Sequence, residues 1–278
     1  MTQQETIEWL LTRSQRYSEA VPIRRAFVQD TEPVRGLVTK PGPLRKLIRS
    51  PRALDLLLIT YAVTAGGDFA VTERSETWGR AAGISFDTTG SASAAVSRQW
   101  ARLEKVGLIK RSTDGRRTQI TKLLEDGLGN PYTLPSGSET GSRKDVYFKL
   151  PFAYWYDGLH NRLDMPAKVV MLIGMSQRKA RFALPQTQAF ADWYGLSAAT
   201  VRRGIEELST AELLDQVGSE PYITGETATG WGVRTLYAFR PPYHLNVNKT
   251  DRESAVANAA VSDDGQPVSA TPTLLDFS

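Results

Sequence analysis

Residues 68–85 read DFAVTERSETWGRAAGIS and lead into ASAAVSRQWARLEKVGLIKR at 92–111. Residues 181–197 read RFALPQTQAFADWYGLS and lead into AATVRRGIEELSTAELL at 198–214. One pattern runs through both. Phe69-Ala70-Val71 matches Phe182-Ala183-Leu184, and Gly83-Ile84-Ser85 matches Gly195-Leu196-Ser197. Val96, Trp100, Leu103, Leu108 and Ile109 recur as Val201, Ile205, Leu208, Leu213 and Leu214, at a constant offset of 105. A period that long, present twice, predicts a duplicated domain rather than a solenoid.

Each copy reads as helix, short strand, helix, Gly-containing turn, helix and two strands. The apolar runs Ala53–Val63 and Ala167–Met175 supply the first helices. In AGIS (82–85) and YGLS (194–197) a glycine can take the left-handed conformation that a tight helix–helix turn requires. Ser197 is placed to cap the third helix of copy two, and Ser91 or Ser93 that of copy one. Asp114-Gly115 predicts a hairpin turn in copy one, with Leu108–Lys110 going out and Thr118–Ile120 returning. In copy two the strands are Leu213–Val217 and Val233–Phe239. The expected fold class is mainly α with small β-hairpins (α+β), arranged as two winged helix-turn-helix domains in tandem.

The residues that carry this pattern resemble those of tandem winged-helix DNA-binding proteins. They are Ala-Gly-Ile-Ser followed by Val96, Trp100, Leu103 and Val106-Gly-Leu-Ile, and Trp193-Tyr-Gly-Leu-Ser followed by Val201, Ile205, Leu208 and Leu213-Leu214. The resemblance spans about residues 50–240 and extends to bacterial transcription regulators and to plasmid or phage replication initiators. It implies duplex DNA as partner, with the third helix of each copy as reader. Two departures stand out. FDTTGSA (86–92) is inserted in the turn of copy one, and Ala211 replaces the glycine expected before Leu213-Leu214.

At 100° per residue, a buried stripe of Val96, Trp100 and Leu103 turns Arg98, Arg102 and Lys105 outward, with Ser91 and Ala94 near the helix start. The same construction in copy two exposes Arg203, flanked by Arg202, Thr200 and Ala199, and makes Arg98 and Arg203 equivalent. An arginine facing the major groove can pair with guanine O6 and N7. Between Arg98 and Lys122 stand eight basic residues against Glu104 and Asp114, whereas Glu206 and Glu207 follow the arginines of copy two. Copy one is therefore expected to carry the base readout. Arg116 and Arg117, just after the Asp-Gly turn, suit phosphates or a narrow minor groove. Arg178, Lys179 and Arg181 form a second basic cluster, a candidate phosphate contact. Trp78, Trp100 and Trp193 fall on the apolar pattern and are expected in the core.

The domain reading is a helical and basic extension over 1–49, a first winged-helix domain over 50–124, and a flexible linker over 125–145. A second winged-helix domain over 146–245 and a disordered acidic tail over 246–278 follow. The extension reads equally as dimerisation element, DNA arm or packing. The tail ends in Leu274-Leu275-Asp276-Phe277, which reads as a docking peptide for a protein partner or as a plain terminus. Residues 251–278 net −4, leaving +8 on residues 1–250, a basic body suited to a polyanion.

With no cysteine, thiol catalysis, disulfides and cysteine metal sites are excluded, and His160 and His244 are too few for a histidine cluster. GSETGSRK (137–144) has phosphate-loop glycine spacing but Arg143 where the lysine belongs. No catalytic residue, metal or cofactor is expected. No apolar run reaches the roughly 18 residues of a membrane span, and the N-terminus lacks a secretion-signal layout, so a cytoplasmic, nucleoid-associated protein is expected. The function expected is transcription regulation through sequence-specific DNA binding. The alternatives are origin binding by a replication initiator, or protein docking by an adaptor, and a homodimer is compatible with each.

Overall fold

A computed structural model describes residues 1–14, 16–30, 40–84, 91–115, 117–135, 145–223 and 230–244. The chain opens with α1 (Gln3–Arg13), β1 (Ala20–Arg24), β2 (Gln29–Asp30), β3 (Lys40–Pro41) and a 3-10 turn at Pro43–Lys46. Copy one follows as α2 (Pro51–Val63), β4 (Ala70–Glu73), α3 (Ser75–Ala81), α4 (Ser91–Val106), β5 (Ile109–Asp114) and β6 (Arg117–Lys122). Then come β7 (Tyr147–Pro151), α5 (Ala153–Tyr156) and α6 (Leu159–Arg162). Copy two is α7 (Met165–Ser176), β8 (Phe182–Ala183), α8 (Gln188–Asp192), α9 (Ala198–Thr210), β9 (Leu214–Ile223) and β10 (Trp231–Phe239).

Both copies have the same sheet topology. The short strand pairs with the last one, in the antiparallel orders β4–β6–β5 and β8–β10–β9. Two further antiparallel pairs, β1–β7 and β2–β3, lie outside the copies. The expectation of a mainly α chain with small hairpins is therefore corrected: the fold is α+β, with several small antiparallel sheets. The β1–β7 pairing joins residues far apart in sequence. Ala20 to Arg24 run antiparallel to Pro151 to Tyr147, and local periodicity carries no trace of such a match.

Gly83 and Gly195, just past the ends of α3 and α8, have φ of +63° and +67°, which turns the chain out of each helix. Residues 85–90, which hold most of the FDTTGSA insertion, lie outside the described residues. On α4, Val96, Trp100, Leu103 and Val106 are buried; on α9, Val201, Gly204, Ile205 and Leu208 are. Ser197 caps α9 by accepting from the Thr200 amide at 3.1 Å. Trp78 and Trp100 meet edge to face, 5.3 Å between centroids, in the core of copy one. Trp193 departs from the expected core role and is 46% exposed. It sits at the C-cap of α8, where Phe190, Ala191 and Tyr194 fill the inward face instead.

Residues 1–14, 16–30 and 40–49 bind the copies together. The α1 helix, held by a Thr2/Glu5 capping box, buries Ile7, Leu10 and Leu11 against α2, α3 and α5. Arg16 donates to the carbonyls of Tyr61, Ala62 and Thr64, covering the C-terminal end of α2 where a cation suits the helix dipole. Gln3 reaches the Ala81 carbonyl and exchanges hydrogen bonds with Asn161. Glu125, in the stretch expected as linker, is fully buried and accepts from Arg24 at 2.9 Å.

Two buried ion clusters fix this arrangement. Lys168 of α7 lies 2.8 and 2.9 Å from the two oxygens of Asp55 on α2 and donates to the His160 carbonyl at 2.6 Å. Burial raises the Asp55 carboxyl while Lys168 opposes the rise. At the end of β6, Lys122 is wholly buried between the rings of Tyr61 and Tyr132, 3.5 Å from Glu125.

Removing one member of the first pair strands a buried charge. Lys168→Met is expected to cost about 3–5 kcal/mol, and pairing it with Asp55→Leu should recover most of that, read by denaturant melts of the four-member cycle. A single-variant loss that the double variant does not relieve would refute the pairing. For the second cluster, burial holds the Lys122 ammonium down to about 7 from an ordinary 10.5. Between those values the unfolded chain binds more protons, so this group adds stability as pH rises. Melting temperatures from pH 7 to about 9.5 should rise less, or fall more, for Lys122→Met than for wild type.

Candidate nucleic-acid interface

The surface of α4 opposite its buried stripe presents Ala94, Arg98, Ala101 and Lys105, all exposed. The β5–β6 hairpin beside it exposes Lys110 and Arg117. Arg98, Lys105, Lys110 and Arg117 have no ion-pair or side-chain hydrogen-bond partner among the described residues. Small side chains at 94 and 101 leave the backbone of α4 open to close approach, with a free cation on either side. A helix of this shape and charge can enter a duplex groove while the hairpin cations meet backbone phosphates.

Other basic residues of the segment are engaged internally. Arg102 donates to the Ser50 hydroxyl just before α2. Arg111 is tied to α4, 3.6 Å from Glu104 and donating to the Ser97 hydroxyl at 3.1 Å. Lys122 is in the core. Ser91 is the first residue of α4, its side chain outside the described residues, and Arg116 lies outside them altogether. Lys110 is an addition to the residues singled out from sequence. Its signal was strand alternation, since Ile109 is buried and the next side chain must point outward.

In copy two, Ala199, Arg202 and Arg203 are exposed, whereas the Thr200 hydroxyl lies 2.9 Å from Ser197 Oγ. Arg203 lies 3.9 Å from Asp164, with both side chains mostly in solvent, a contact of small energy. Glu206 is exposed on the same face. Arg178, Lys179 and Arg181 sit in the loop between α7 and β8, away from α9 in sequence and with Arg178 at a φ of +56°. The β9–β10 ribbon offers no free cation among its described residues: Arg234 is held by Glu220, 2.6 Å from its Nε. Its other face exposes Ile223, Trp231 and Val233.

His160 is buried, and burial together with the Lys168 ammonium holds its imidazole down to about 4. It is a neutral packing residue at ordinary pH. His244 is exposed. Among the described residues no cluster of His, Asp and Glu could hold a metal, and no helix is long and apolar enough to cross a membrane. The C-terminal segment Leu274–Phe277 lies outside the described residues.

Comparison of the chain with protein-family models, curated proteins and solved structures found no match.

The seating of α9 depends on Gly204. A Cβ there would lie 2.5 Å from the Pro166 carbonyl oxygen and 2.5 Å from Val170 of α7. Gly204→Ala should therefore destabilise the chain by about 1–3 kcal/mol, read as a lowered melting temperature. An unchanged melt would show that α9 does not pack on α7 this closely.

Proposed function

We propose that this protein binds double-stranded DNA sequence-specifically, with α4 as the principal reader, and that it acts as a transcription regulator in the cytoplasm, on the nucleoid. The observation that carries the reading is the unpaired cationic face of α4. Arg98 and Lys105 project from it without an internal partner among the described residues, while Arg102 and Arg111 nearby are hydrogen-bonded. In this reading Arg98 specifies bases, Lys105, Lys110 and Arg117 grip phosphates, and Arg202 and Arg203 of α9 make a second, weaker contact. Glu206 on the same face of α9 opposes a phosphate and limits that contact.

A second reading concerns copy two. The exposed apolar side chains of the β9–β10 ribbon, with its arginine already paired, favour protein docking there, as in an adaptor. Origin binding by a replication initiator would use the same α4 contacts, and the arrangement of recovered sites separates it from regulation: clustered direct repeats against a promoter palindrome.

Selection of bound fragments from genomic duplex DNA at two salt concentrations tests the proposal. Wild type is expected to recover a discrete motif that persists at the higher salt. Arg98→Ala should lose about 1–3 kcal/mol of preference at one base pair of that motif. Diffuse binding that vanishes with salt, or an identical motif from the variant, would overturn the assignment.

A further inference from the structure

From Lys40 to Leu54 the chain carries five basic residues, Lys40, Arg45, Lys46, Arg49 and Arg52, and no acidic one. All five are exposed, and none has an ion-pair or side-chain hydrogen-bond partner among the described residues. Elsewhere pairing is common: Arg13 with Glu73, Arg24 with Glu125 and Asp145, Arg234 with Glu220, and Arg240 with Asp215. Asp30, Asp126 and Asp145 line one cleft with Lys40, Arg45 and Lys46, and Asp55 and Asp164 line another with Arg52. Asp145 and Asp55 are already engaged by Arg24 and Lys168, so the row keeps a cationic excess that a polyanion would relieve.

The backbone under these cations is fixed. Pro43, Leu44 and Leu47 are buried, and the Pro43–Lys46 turn is closed by the Leu47 amide donating to the Leu44 carbonyl. One end of the row lies against copy two, since a Cβ on Gly195, in the turn before α9, would be 3.1 Å from both Cβ and Cδ of Arg45. The other end lies against copy one. Arg102 of α4 donates to the Ser50 hydroxyl, and Arg52 lines the same cleft as Gly83 of the α3–α4 turn. The row therefore runs from the reading helix of one copy to the reading turn of the other, on a rigid support.

We infer that this row is a phosphate rail: it holds the backbone of the duplex between the segments met by α4 and by α9, and reads no bases. The inference rests on the duplex-binding reading above. It assigns part of residues 1–49 a role in affinity and in keeping the two helices in register on one DNA molecule.

The test uses the full chain with Lys46→Gln, Arg49→Gln and Arg52→Gln combined. Fluorescence anisotropy would follow binding to a duplex bearing the selected motif and to a scrambled duplex, over a range of salt. Each phosphate no longer neutralised should reduce the slope of log affinity against log salt by about 0.9, so the triple variant should lower it by about 2–3 on both duplexes. The ratio of affinities for motif and scramble should stay as in wild type, and the thermal melt should be unchanged. Should the triple variant melt early, Lys46→Glu alone is expected to weaken both duplexes equally. An unchanged slope, or a motif-to-scramble ratio that falls as with Arg98→Ala, would overturn the rail while leaving duplex binding intact. A wild type without salt-dependent duplex affinity would overturn the DNA reading and the rail together.

Discussion

The contact between Lys168 and Asp55 joins the first helices of the two copies at nearly equivalent positions, about one turn inside each helix. Both side chains are largely buried, and the lysine is completed by the His160 carbonyl. Such a pair adds little net stability over an apolar contact, yet it penalises every arrangement that separates its members. With α4 packed on α2 and α9 on α7, a contact between α2 and α7 bears on where α4 and α9 sit.

The N-terminal residues supply the second constraint. Through β1 they pair with β7, through α1 they pack on α2, α3 and α5, and through Gln3 and Arg45 they sit against both Gly-containing turns. The helices of both copies thus share one hydrophobic cluster with the segment that precedes them. Arg24, Glu125 and Lys122 extend this tie to the end of β6, so the base of the β5–β6 hairpin is anchored by charges out of water.

The two copies share a topology and differ in chemistry. Copy one keeps free cations on α4 and its hairpin. Copy two places an exposed glutamate among its arginines and balances Arg234 with Glu220, leaving apolar side chains uncovered on a long ribbon. The buried stripes match, where volume is constrained, and the outer faces differ. One backbone plan thereby presents two different surfaces.

Helical spacing alone determined which side of α4 and of α9 is buried, because Val96-Trp100-Leu103 and Val201-Ile205-Leu208 follow the 3.6-residue period, and burial acts on that period directly. The turn glycines, the Ser197 cap and the charge bias of copy one were legible for the same reason: each is a local effect. The proportion of sheet was not, because β1 finds β7 across a long span of chain and no periodicity encodes that distance. Nor was the fate of individual cations. Arg98 and Arg102 look alike in sequence, and only the approach of Ser50 engages one of them. Trp193 shows the same limit: its spacing suggested the core, and the end of α8 turned it to solvent. The sequence by itself determined the repeated units and their inward faces. Tertiary structure decided which outward charges remain free, because a charge is neutralised only by a partner that folding brings within a few ångströms.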